Sequence, residues 1–196
     1  QPKRNTLVIF HQGHLKSTSE EVALVNDLLE KGYTVGVFWM PLRGVNNQPS
    51  VFIPNLGYMR LQQHEHMKFL APESGHPVQF FLQPVIEFIN YAIHTSNPEH
   101  FAMVGLSGGG WTTTLMAAID SRIDLSISVA GSYPIFLRSG SPRDWGDWEQ
   151  TIPGLYQTCN YLELYILGSA GKGRKQLQIH NKYDSCCFAG IKWQTY

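Results

Sequence analysis

The side chain best placed by its neighbours to do chemistry is Ser107, in the run Met103-Val104-Gly105-Leu106-Ser107-Gly108-Gly109-Gly110-Trp111. Glycines two before and two after a serine let a strand and a helix approach closely while the central residue turns a sharp corner. A hydroxyl on that corner stands above the sheet edge at a helix N-terminus. There the helix dipole and free amides favour developing negative charge. The chemistry this suits is nucleophilic attack. A phosphate-cradling loop fits poorly, because Trp111-Thr112 stands where such a loop needs Lys followed by Ser or Thr.

The flanking sequence supplies the strand and helix that the corner requires. Phe101 to Leu106 is an apolar run leading into Ser107, and Trp111 to Ile119 reads as a helix. Leu7 to Phe10, Tyr33 to Met40, Leu125 to Ala130 and Gln176 to His180 read as further strands. Ser17 with Glu20 predicts a capping box, followed by Val22, Val25, Leu28 and Leu29 at helical spacing and a stop at Gly32. Pro84 predicts the start of a stronger helix, with Val85, Phe88, Ile89, Ala92 and Ile93 on one face. Tyr161 to Leu167 is read as helix. Residues 43–77 form a long excursion with one short helix near Gln62 to Leu70, and residues 138–154 a lid-like loop anchored by Trp145, Trp148 and Ile152.

Strands alternating with helices predict a single α/β domain over residues 1–196. Its sheet is mainly parallel, of about five to six strands, with helices on both faces. Sites in such sheets lie at the carboxyl ends of the strands. The polar clusters at 11–14, 105–110 and 181–184 all follow strands, so they should converge on one edge.

Composition narrows the function. The 196 residues are 43% hydrophobic and 15% charged, the mix of a packed globule. Fifteen basic residues balance fifteen acidic ones, which gives no field to draw in nucleic acid. No apolar run reaches the ~20 residues that span a bilayer, and Gln1 to Thr6 does not read as a signal peptide. Compartment and oligomeric state stay open. The three cysteines, Cys159, Cys186 and Cys187, make a poor disulfide framework and show no zinc spacing. They read as small buried side chains, with a bridge from Cys159 to the adjacent pair left open. No metal or cofactor is called for.

The chain resembles the α/β-hydrolase superfamily over nearly all its length. Its matching segments are His11-Gln12-Gly13-His14, the Gly105 to Trp111 corner, and Asn181 to Phe188. The resemblance implies hydrolysis of a small ester-type substrate through an acyl-enzyme on Ser107. It implies an oxyanion hole from the amide of Gly108 and from Gln12 or Gly13 on the first loop. Asp184, after the last strand, is the expected triad acid, with an Asx-turn as its structural alternative. Asp144 and Asp147 are runners-up.

The order in this fold is Ser, acid, His, yet no histidine follows Asp184. The resemblance also implies strands ahead of the first one here, so the polypeptide is expected to be incomplete and weakly active. His180 lies too far back along its strand to pair with Asp184. His11 and His14 are the substitute bases to consider. The rival class is a non-catalytic α/β-hydrolase-like protein that binds a ligand or partner.

Overall fold

The computed structural model describes residues 4–15, 17–70, 72–138, 142–184 and 186–196. Five strands form the main sheet: β1 (Thr6–His11), β2 (Thr34–Phe38), β5 (His100–Leu106), β6 (Leu125–Val129) and β7 (Lys175–Ile179). Their order is β2-β1-β5-β6-β7, and every pairing is parallel. Parallel neighbours require crossovers, which are supplied by α1 (Ser19–Glu30), α2 (Gln79–Thr95), α3 (Gly108–Ile119), α4 (Pro153–Thr158) and α5 (Tyr161–Ser169). The five strands read from the sequence are all present, with ends within two residues. The mainly parallel α/β sheet flanked by helices is the expected fold class.

The core follows from strand alternation. Leu7 and Ile9 of β1 and Phe101 and Met103 of β5 point to one face, where Val85, Ile89 and Ala92 of α2 and Met116 of α3 cover them. Ile9, Met103, Ile89 and Met116 are wholly buried. A second cluster joins Trp111 and Leu115 of α3 to Tyr161 and Leu164 of α5 and to Met40, Leu61 and Met67 of the excursion. Helix α3 is therefore enclosed, which explains why ten of its residues are buried. Its three consecutive threonines return their hydroxyls to carbonyls one turn back: Thr112 to Gly108, Thr113 to Gly109 and Thr114 to Gly110.

Several local expectations need correction. The capping box of α1 uses Thr18 and Glu21, not Ser17 and Glu20. Both pairs have the right spacing. Glu21 is the one that turns inward to the Gln12 amide, while Glu20 faces solvent. On α1, Val25 and Leu28 are half-buried but Val22 and Leu29 are exposed. Helix α2 starts at Gln79, so Pro84 lies inside it. Burial of Phe81, edge-on against both His64 and Trp111, draws the earlier turn into the helix. The excursion holds an unforeseen antiparallel hairpin, β3 (Ser50–Ile53) with β4 (Gly57–Arg60). Its reversal uses positive φ at Asn55 and Gly57. The short helix expected nearby is a 3-10 turn at His64–Phe69.

Candidate active site

Ser107 sits where β5 meets α3, at φ 55° and ψ −123°. A non-glycine residue in that region is strained by about 1–3 kcal/mol and persists only where its surroundings hold it. Here the amide of Ser107 donates to the Val129 carbonyl at 2.8 Å, tying the corner to β6. A Cβ on Gly105 would collide with the Gly109 carbonyl, and one on Gly109 with the His11 carbonyl. The glycines thus let helix, strand and first loop touch backbone to backbone. Ser107 itself remains half-buried at the carboxyl edge of the sheet.

The first loop leaves β1 directly beside this corner. A Cβ on Gly13 would lie 2.9 Å from the Ser107 Cβ and 2.8 Å from the Leu106 carbonyl oxygen. Gln12 faces elsewhere. Its amide N–H donates to the Phe38 carbonyl at 2.8 Å. Its side-chain nitrogen donates to Glu21 at 2.9 Å and its oxygen accepts from Ser17 at 3.0 Å. His11 is buried, stacked on Phe38, with Nδ1–H donating to the Gln12 carbonyl at 2.9 Å. That bond places its single proton on Nδ1. Burial lowers the His11 pKa to about 4, so the ring is uncharged at neutral pH.

His14 lies against the other side of the corner. A Cβ on Gly108 would be 2.5 Å from the His14 Cε1. The His14 Nε2 is 2.7 Å from an Asp147 oxygen and 3.4 Å from a Glu149 oxygen. His64, fully buried, approaches the same Glu149 oxygen through Nδ1 at 3.0 Å and the His14 Nε2 at 3.1 Å. Burial opposes charge on His14, but the bonds to Asp147 and Glu149 outweigh it and raise its pKa to about 9. The His14 hydrogen bond holds Asp147 below the usual carboxylate range. Burial would raise Glu149, yet His14 and His64 hold it low as well.

Among the residues expected at the site, the structure brings His11, Gln12, Gly13, His14, Ser107 and Gly108 together at one edge. Asp184 follows β7, two strands away from β5 in the sheet. One of its oxygens accepts the amides of Cys186 at 2.7 Å and Cys187 at 3.0 Å, the turn-closing arrangement. Cys186 and Cys187 are paired with each other, and Cys159 is free and half-buried. His180 packs among Tyr133, Trp193 and Tyr196, and its Nε2 bonds to the Tyr196 hydroxyl. The sequence reading gave His64 no role and did not single out Glu149. No local spacing links them: 85 residues separate the two.

Two further features frame the site. An apolar cavity of about 620 Å³ opens beside His11, walled by Phe38, Trp39, Leu42, Met67 and Phe81. Ser107 is not part of its wall. The loop carrying Asp147 and Glu149 is anchored by Arg138, which is buried. Arg138 donates to the carbonyls of Tyr133 and Trp145 and to the Gln150 side chain, and its guanidinium lies over the rings of Tyr161 and Phe188.

No family model and no curated protein sequence matches the chain. Solved structures do share its fold. The esterase Pf2001 of Pyrococcus furiosus is 13% identical and superposes with a TM-score of 0.61 over 98% of this chain and 66% of its own. Est1E from Butyrivibrio proteoclasticus, in a structure with bound ferulic acid, is 16% identical with a TM-score of 0.58 over 98% and 74%. A dienelactone hydrolase, so described, from Klebsiella pneumoniae is 14% identical with a TM-score of 0.56 over 95% and 65%. The chain thus spans about two thirds to three quarters of the length of these proteins. Likeness at such identity speaks to the fold, which is α/β-hydrolase-like.

Proposed function

We propose that this α/β-hydrolase-fold chain is a serine hydrolase acting on a carboxylic ester, with Ser107 as nucleophile. The observation that carries the reading is the strained backbone of Ser107, held at the sheet's carboxyl edge with Gly13 packed against its Cβ. Strain of that kind persists only where the surroundings hold it, and it clusters at active sites. The Ser107 Oγ attacks the ester carbonyl carbon, the alcohol leaves with a proton, and water then releases the acid from the acyl-enzyme. The negative oxygen formed at each step is stabilised by the amides of Gly108 and Gly13. The first is a first-turn helix amide without an intrahelical acceptor. Gln12 drops out as a donor because its amide is already bonded to Phe38.

Asp184 keeps its place as the proposed acid, its carboxylate oriented by two backbone amides. The base is the weak point of the machinery in these 196 residues. His11 is too weakly basic, and His14 holds its proton against two carboxylates. Turnover by this chain is therefore expected to be slow, on the order of 10³–10⁴ over water from oxyanion stabilisation and binding alone. The apolar cavity beside His11 favours a substrate with a bulky aliphatic or aryl group.

A second reading, ligand binding without catalysis, is favoured by that same cavity and by the occupied histidines. A fluorophosphonate probe separates the two. The enzyme reading expects labelling of the folded chain that disappears in Ser107→Ala. Absence of labelling in folded protein would sink it and leave the binding reading.

A further inference from the structure

We propose that His14, His64, Asp147 and Glu149 form a closed site for one divalent transition-metal ion of the zinc type. One donor atom from each of the four lies within 4.8 Å of all the others. Five of the six separations are 2.7 Å (His14–Asp147), 3.0 Å (His64–Glu149), 3.1 Å (His14–His64), 3.4 Å (His14–Glu149) and 3.7 Å (His64–Asp147). Bonds of ~2.0–2.1 Å to a tetrahedral zinc ion would set donor atoms about 3.3 Å apart. The observed edges scatter around that value.

Hydrogen bonding alone does not satisfy the cluster. The Nε2 of His64 bonds to the Pro41 carbonyl at 2.9 Å, and a carbonyl can only accept. The His64 proton is thereby fixed on Nε2, which turns the Nδ1 lone pair towards Glu149, an orientation typical of a metal-ligating histidine. With both carboxylates ionised, a neutral His64 sets two acceptors face to face, Nδ1 and the Glu149 oxygen. Adding a proton to Nδ1 instead sets it against the Nε2–H that His14 gives to Asp147. Every such placement leaves one contact mismatched, and a cation at the centre resolves them together. A separate observation points the same way. Glu149 is wholly buried, and its second oxygen has no hydrogen-bond partner among the described residues. Two imidazoles with two carboxylates suit zinc over magnesium or calcium, which prefer oxygen donors throughout.

Four protein donors close the coordination shell, so the ion holds structure and carries no substrate. It ties three distant segments together: the first loop, the excursion through the 3-10 turn at His64, and the loop of Asp147 and Glu149. Because His14 is next to Gly13 in the chain, the ion also fixes the loop packed against Ser107. The ion would hold this loop whether or not Ser107 is a nucleophile.

The test uses the full chain, freed of any histidine tag. Elemental analysis should find about one zinc per chain, and replacement by Co²⁺ should give the visible absorption of a tetrahedral complex. Removing zinc with a chelator should lower the melting temperature, and adding zinc should restore it. Asp147→Asn, at a half-exposed position, should weaken zinc binding at least about tenfold while the fold survives. Glu149→Gln provides a second variant of equal shape. A folded wild-type chain with neither stoichiometric zinc nor a tetrahedral cobalt spectrum overturns the proposal. So does unchanged zinc affinity in both variants.

Discussion

The glycine corner around Ser107 and the histidine–carboxylate cluster beside it adjoin through Gly108, yet they are built in opposite ways. The corner is made from seven consecutive residues, Gly105 to Trp111, whose four glycines leave no room for a Cβ. The cluster is made from side chains that start 50 and 85 residues apart and meet only after the sheet has formed. A contiguous site depends on local backbone geometry. A convergent one depends on every loop closing correctly, and so it needs its own stabilising contacts.

The largest effect is expected at Gly109. Alanine there drives a Cβ into the backbone carbonyls of His11 and Gln12, which cannot swing aside. A loss of about 3 kcal/mol or more is expected in urea unfolding. Gly108→Ala meets instead the ends of the His14 and Met40 side chains. It should cost less, about 1–2 kcal/mol, while displacing His14 and loosening the cluster. Equal losses in the two variants would show that the regions are not built differently.

A smaller effect of opposite sign is expected at the corner itself. Ser107→Gly relieves an unfavourable φ and should raise stability by about 1 kcal/mol, read as a higher urea midpoint with unchanged slope. A drop in stability would mean that the corner is not strained. The mildest effect belongs to the far end of α3, where Asp120 bonds to Arg122. Burial would raise the Asp120 pKa, but the Arg122 bonds and charge lower it on balance. The folded value therefore lies below the unfolded one. The stabilisation is complete above the ordinary carboxylate pKa of about 4 and fades as pH falls through the lower folded value. Asp120→Asn should flatten the acid limb of the stability–pH curve and leave both regions near Ser107 intact. An unchanged acid limb would remove the ion pair from the account.

What was legible in the sequence follows the same division. The strand into Gly105, the corner and the helix beyond it were readable because periodicity and glycine spacing are local signals. Those same signals placed all five sheet strands. The cap of α1 was missed by one residue because two pairs share the spacing, and only the inward turn of Glu21 distinguishes them. The β3–β4 hairpin was missed because its strands are four residues each and its turn lacks a two-residue Asn-Gly signal. His64 and Glu149 were invisible because their meaning comes from tertiary closure. Asp147 was noticed as an acid after β6, but its partner turned out to be His14.

Arg138 has a mechanical corollary. A single guanidinium is wedged between the Trp145–Gln150 stretch and Phe188, four residues past Asp184. Pulling either segment away removes part of the shell around this buried positive charge, so the two are energetically coupled through Arg138. Disturbance at Phe188 is thereby passed to the stretch of chain that bears Asp147 and Glu149.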